Sequence, residues 1–197
     1  MIIIAFLSVL TLFLLVGLSA NLRRQSTTSD YLIAGRTVHP WLVGFAAAST
    51  NSSGFMFIGL IGATVTNGLS TMWLMVGWIV GDYFAWLVIH RRLRERSEEL
   101  QANSLSGYLS AGQTKSFTAI RVLCAVLTIS FLATYATAQF VAGSKGVESL
   151  LNWSRAGGVL LGFGLLMLYC FSGGLRASIW VNTMQSIVMI GSVIMLF

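Results

Sequence analysis

The sequence predicts an all-helical protein embedded in a membrane, and three observations carry that prediction. Hydrophobic residues fill 56% of the 197 positions and charged residues only 9%, with a mean hydropathy of +0.81; roughly a quarter of an ordinary soluble domain is charged. The apolar residues fall into runs long enough to cross about 30 Å of hydrocarbon at a rise of about 1.5 Å per residue. The charges fall between those runs, and ten of the twelve Lys and Arg residues lie in alternate loops or at a helix edge. The net charge of +6 is therefore a matter of membrane orientation, and no nucleic-acid partner is expected.

Six spans are expected, at about 1–20, 41–65, 70–90, 117–142, 156–172 and 177–197. The first is apolar from its second residue, lacks a basic leading segment and is followed by Arg23 and Arg24. That order is wrong for a cleaved signal peptide and fits a retained span whose N-terminus lies outside the cytoplasm. The loop up to Pro40 also carries Arg36, and Pro40, the only proline, suits the first turn of the second helix because its φ is fixed and it needs no N–H partner there. The turn near Asn67-Gly68 has no basic residue.

After the third span come Arg91, Arg92, Arg94, Arg96 and Lys115, with Arg121 just inside the fourth. Within that loop, Leu100, Leu105 and Leu109 give Ser97–Leu109 the look of a short amphipathic surface helix. The loop Gly143–Arg155 holds only Lys145 and Arg155, and Arg176 marks a very short last loop. The three basic loops are thus expected on the cytoplasmic side of a cell membrane. Gly77 with Gly81, and Gly158 with Gly162, are spaced for close helix crossing. The sixth span reaches Phe197 without a polar tail, so residues 1–197 read as one incomplete transmembrane domain, the N-terminal part of something longer.

The chemistry is expected where the second span is interrupted. Ser49-Thr50-Asn51-Ser52-Ser53-Gly54 puts six small or polar residues in a row at mid-depth, where lipid offers no hydrogen bonds. Such a stretch suits a broken helix lining a protected cavity, with carbonyls and hydroxyls able to hold a hard cation and a helix N-terminus able to face a carboxylate. A packing face with serines bonded to the preceding turn is the simpler alternative. Thr134, Tyr135, Thr137 and Gln139 crowd one turn and a half of the fourth span; a buried Gln139 amide needs a partner, either a solute or a neighbouring backbone group. Asn182, Thr183 and Gln185 form a shallower cluster in the sixth span. Asp82 is the one acid inside a predicted span, eight residues or about 12 Å of helix rise before Arg91; it is expected near the cytoplasmic interface and paired with a basic side chain, with a proton relay as the alternative. Cys124 and Cys170 lie in apolar runs and suggest neither disulfide nor metal, while His39 and His90 sit near helix ends. No nucleophile, metal cluster or phosphate loop suggests an enzyme, and no cofactor is expected.

These residues carry a resemblance. Ser29-Asp30-Tyr31-Leu32-Ile33-Ala34-Gly35-Arg36, the Thr50–Gly54 stretch, Gly59-Leu60-Ile61-Gly62-Ala63, then Tyr135, Val141-Ala142-Gly143, Gly173-Gly174-Leu175, Trp180 and Gln185 keep the order and spacing of a known family. The chain resembles the sodium:solute symporter family, most nearly its sodium/proline branch. The resemblance implies the first inverted repeat of a leucine-transporter-like fold behind an extra N-terminal helix. It implies a partial sodium site at Ser49, Asn51 and Ser52, and solute contacts at Ser53, Gly54, Phe55 and Tyr135; Gln139, from its place in the polar turn, is expected to be a further solute contact. Arg36 falls where that branch has an arginine linked to coupling.

Asn51 and Asn182 stand where proline symporters have aspartates, so an amide oxygen replaces a charge at both positions. The implied function is sodium-coupled symport of a small organic solute, proline or a related amino acid, by alternating access. The partners are then sodium, the solute and the bilayer. The sequence leaves two other readings: the membrane input domain of a symporter-like sensor kinase, in which a solute shifts conformation without net flux, and an inert fragment. It does not indicate an oligomeric state.

Overall fold

The computed structural model describes residues 2–22, 25, 27–111 and 118–196, and every regular element among them is helical. Arg23, Arg24 and Lys115, three of the residues behind the expected orientation, lie outside the described residues, as do the span ends Met1, Phe117 and Phe197. In chain order the elements are α1 (Ile2–Asn21), α2 (Thr28–Ile33) with a 3-10 turn (Ala34–Arg36), and α3 (Pro40–Asn51). A π-helical turn (Phe55–Gly59) leads into α4 (Leu60–Asn67), a 3-10 turn (Gly68–Thr71) and α5 (Met72–Phe84). A second π-turn (Ala85–His90) runs into α6 (Arg91–Glu99), followed by α7 (Leu105–Ala111), α8 (Thr118–Leu151) and α9 (Arg155–Leu196). Among the described residues four stretches are long and apolar enough to cross a membrane: Ile3–Asn21, Leu60–Glu99, Thr118–Leu151 and Arg155–Met195.

Several boundaries follow the local chemistry anticipated from sequence. Pro40 opens α3, and His39 caps it by accepting the Trp41 N–H on Nδ1 at 3.4 Å. Gly68, at φ 67°, ends α4 where the uncharged turn is expected.

Other boundaries differ. The expected loop Gly143–Arg155 is helical as far as Leu151. Gly143 and Gly146 do not stop α8; Asn152 does, in the left-handed region at φ 54°, its N–H bonded to the Glu148 carbonyl at 3.1 Å. Ser154 then starts α9, its hydroxyl accepting the Gly157 N–H at 3.2 Å. The expected break near Arg176 falls two residues earlier, at a kink on Gly174. The predicted spans 156–172 and 177–197 both fall in α9, where Gly174 alone departs from helical geometry, at φ 57° and ψ −144°. In the expected surface helix Ser97–Leu109, the first residues belong to α6 and the chain bends at Gln101, φ 51°, before α7.

The chain divides into two compact units. The first comprises Met1–Gly54 and Thr137–Phe197, with α1, α2 and α3 packed on α9. Its core is made of small residues, including Ala20, Ala46, Ala177 and Val181, so the helices approach closely. A Cβ on Gly17 would lie 2.6 Å from that of Tyr169, and one on Gly158 only 3.2 Å from the Ser144 Cα, whereas one on Gly162 would meet the Phe140 ring at an ordinary 3.6 Å, so of the expected pair only Gly158 sits at a close approach of α8 and α9. The second unit, Phe55–Ala136, contains α4 to α7 and the start of α8. Thr71 ties its tight turn by donating to the Ala63 carbonyl at 3.2 Å. Gly77 and Gly81 meet nothing within 4 Å among the described residues, so their expected packing role is not realised there. On α6 the pairs Arg91–Glu95 and Arg96–Glu99 are solvent-exposed, worth about 0–1 kcal/mol each.

Candidate functional site

The second predicted span breaks where its polar residues cluster. α3 ends at Asn51, and Ser52 turns out of the helix at φ −79° and ψ 74°. The Ser53 N–H donates to the Asn51 carbonyl at 3.0 Å, which makes an inverse γ-turn centred on Ser52. The serine holds the last helical turn closed behind it: its N–H donates to the carbonyls of Ala48 and Ser49, and its hydroxyl to that of Ala48 at 2.9 Å. Thr50 bonds back to the Ala46 carbonyl at 2.9 Å in the same way.

Beyond the turn, the Gly54 N–H leaves the helical ladder and donates to Gln139 Oε1 at 2.7 Å. Gly54 fits there because it has no side chain. A Cβ would stand 2.7 Å from that of Ala142 and 3.1 Å from Gln139 Oε1. Of the two partners open to Gln139 from sequence, the structure supplies the backbone one.

A polar seam joins α3 to the second half of α9. The Thr183 hydroxyl shares its one hydrogen between the Leu42 carbonyl at 2.9 Å and its own Ile179 carbonyl at 2.7 Å, and Ser186 donates to the Phe45 carbonyl at 2.5 Å. Both pairs advance by three residues, so the two helices are locked in register. Nearer the break, the Ser49 hydroxyl donates to Gln185 Oε1 at 3.2 Å and the Asn182 amide donates to Thr50 Oγ1 at 3.3 Å. Interhelical bonds of this kind contribute about 0.6 kcal/mol each on average inside a membrane, and up to about 2 kcal/mol.

The expected site residues thus divide. Ser49, Asn51, Ser52, Ser53, Gly54, Gln139 and Asn182 belong to the first unit, with Ser49 and Ser53 buried. Phe55, Tyr135 and Asp82 belong to the second, where Phe55 and Tyr135 are about half exposed. Arg36 closes the 3-10 turn after α2 at φ 56°. Sequence reasoning sees Asn182, Thr183 and Gln185 as a cluster but not their partners on α3, and it misses Ser186 altogether. It also reads Arg176 as a loop charge, whereas the side chain is buried against Asp30. Among the described residues no group of His, Cys, Asp and Glu could hold a metal ion.

The family model for sodium:solute symporters matches residues 31–197. The chain belongs to the sodium:solute symporter family. It is a multi-pass membrane protein of a transporter family, not of an enzyme family. The chain is 28% identical to the sodium/proline symporter of Escherichia coli over 174 residues, 88% of this chain and 35% of the relative. It is 29% identical over 187 residues to the high-affinity proline transporter PutP of Bacillus subtilis, 92% of this chain and 38% of the relative. With the sodium/proline symporter of Staphylococcus aureus the identity is 26% over 193 residues, 96% of this chain and 38% of the relative. The symporter-family chain therefore spans little more than a third of the length of these curated relatives. No solved structure matches it.

Proposed function

We propose that this chain works as part of a sodium-coupled symporter for proline or a related small amino acid, and that the break between Asn51 and Gly54 is where the ion and the solute meet the protein. The observation that carries the reading is the Gly54–Gln139 hydrogen bond, which takes the N–H out of its own helix and supports an opening in the backbone within an apolar span. Ser49, Asn51 and Ser52 supply carbonyl and side-chain oxygens, the donor type that suits sodium. Ser53, Gly54, Phe55 and Tyr135 are assigned to the solute, and Arg36 and Asn182 to coupling. Gln139 serves this site by positioning the Gly54 backbone.

In this reading the six spans are the extra N-terminal helix and the first inverted repeat of a leucine-transporter-like fold, with Gly174 separating the fifth from the sixth. The basic loops face the cytoplasm and the N-terminus lies outside. Sodium binding at the break and solute binding beside it favour the same conformation, so each raises the affinity of the other. Uptake of labelled proline by the intact protein in proteoliposomes is the test. A sodium gradient should stimulate it severalfold over an equal potassium gradient, and uptake indifferent to sodium would reject the proposal.

A further inference from the structure

Asp30 and Arg176 form a buried ion pair that the reading above does not use. Asp30 is 1% exposed and the Arg176 side chain 11%. Arg176 Nη2 donates to Asp30 Oδ1, to the Ala34 carbonyl at 3.0 Å and to Thr37 Oγ1 at 3.3 Å. The other carboxylate oxygen, Oδ2, accepts the Gln25 N–H at 2.9 Å. One arginine thus gathers the chain from Gln25 to Thr37, the segment that leads into α3 at Pro40.

The other end of the clamp is the kink in α9. Arg176 lies two residues after Gly174, and the Tyr31 carbonyl sits so close to Gly174 that a Cβ there would be 2.5 Å away. Tyr31 also donates its hydroxyl to the Cys170 carbonyl at 3.3 Å. The α2 segment is therefore fastened across the one non-helical residue of α9, before it on Cys170 and after it on Arg176.

A buried ion pair is a poor way to gain stability, because desolvating two charges offsets most of their attraction; apolar residues of like volume hold as well or better. An ion pair has one property that an apolar contact lacks. When the contact opens to water both charges recover their hydration, so the closed and open arrangements lie closer in free energy. We propose that Asp30–Arg176 is a releasable latch: closed, it holds the α2 segment over the Gly174 kink and so sets the position of α3 and its break; open, it frees α3 to move. Arg176 is then a positioning residue. The link to transport rests on the symport reading, and the latch itself does not.

Cys170 is a built-in reporter, partly exposed and one turn before the kink. The experiment follows its labelling by a membrane-permeant maleimide in the intact protein in proteoliposomes, with Cys124→Ser and any other cysteine replaced, in sodium or potassium buffer. Arg176→Ala and Asp30→Asn should each raise the labelling rate severalfold and remove its response to sodium. In uptake they should alter KM for sodium more than maximal rate. Arg176→Lys, which keeps the charge, should label between the parent and Arg176→Ala.

Parent-like rates and sodium response in both Arg176→Ala and Asp30→Asn would overturn the latch. Should those two fail to insert, Thr37→Ala and Arg176→Lys must shift labelling in the same direction, and unchanged rates in both would overturn it equally. If Arg176→Ala accelerates labelling while the parent ignores sodium altogether, the latch stands and the symport reading falls.

Discussion

Gln139 accepts the N–H of Gly54 at 2.7 Å, and that bond keeps the second predicted span from closing into one helix. In a continuous α-helix the same N–H would donate to the Thr50 carbonyl four residues back. Gln139 withdraws that donor. Replacing it by Leu leaves an amide unpaired among apolar helices, which costs about 1–3 kcal/mol, or lets the ladder close through Thr50. Gln139→Leu is expected to lower the thermal midpoint of the purified protein and to weaken apparent sodium affinity in uptake. Gln139→Glu keeps an acceptor and should lose less of both.

Gly54 and Ala142 pack so that only one of them can carry a methyl group. Gly54→Ala would bring two Cβ atoms to 2.7 Å, an overpacking penalty of about 1–3 kcal/mol. The double variant Gly54→Ala with Ala142→Gly should recover most of the stability, read as the thermal midpoint. If the double variant were no more stable than Gly54→Ala alone, the contact would not be what limits position 54.

The break is legible in the sequence because its signal is local: six adjacent small or polar residues in an apolar run leave the backbone few other solutions. What holds it open is less legible. Gln139 lies 85 residues from Gly54, and a lone amide in a helix does not say which backbone group it will meet. The seam is half legible, since Asn182, Thr183 and Gln185 cluster visibly while their partners on α3 are main-chain carbonyls that every residue possesses. Asp30–Arg176 is not legible at all. The two residues are 146 apart, and each has an ordinary local reading, as one residue of a motif and as an orienting charge. The expected loop from Gly143 is misplaced because α8 runs on to Leu151, until Asn152, in the left-handed region, ends it.

Ser49 and Gln185 are expected to act as a coupled pair. Ser49→Ala and Gln185→Leu each remove one side of the 3.2 Å bond between α3 and α9, so the second substitution should cost less once the first is made. A double-mutant cycle on thermal or denaturant stability should return a coupling of about 0.5–2 kcal/mol. Strict additivity would mean that the bond contributes nothing to joining the helices.

Asn182 works as a donor, and a carboxylate cannot. Thr50 already gives its hydroxyl hydrogen to the Ala46 carbonyl, so Asn182 meets the lone pairs of Thr50 Oγ1. Asn182→Asp should place two acceptors face to face and lower stability by about 1–3 kcal/mol in sodium-free buffer. Asn182→Gln retains the donor and tests whether its reach matters. The check is the thermal midpoint of each variant in choline buffer.

Gly174 adopts φ 57° and ψ −144°, a conformation essentially confined to glycine. It does so with the Tyr31 carbonyl and ring packed on its open side, 2.5 and 2.8 Å from where a Cβ would be. Gly174→Ala therefore combines backbone strain, about 1–3 kcal/mol, with overpacking of about 1–3 kcal/mol. The variant should show a clear drop in thermal midpoint and faster labelling of Cys170 as α2 is pushed off the kink. Gly164→Ala, ten residues earlier in α9 at a site where a Cβ meets nothing within 4 Å among the described residues, is the control. There the gain in helix propensity, about 1 kcal/mol, should leave stability unchanged or higher. Equal losses at both positions would mean that the kink holds no special constraint and that α9 is simply intolerant of added volume.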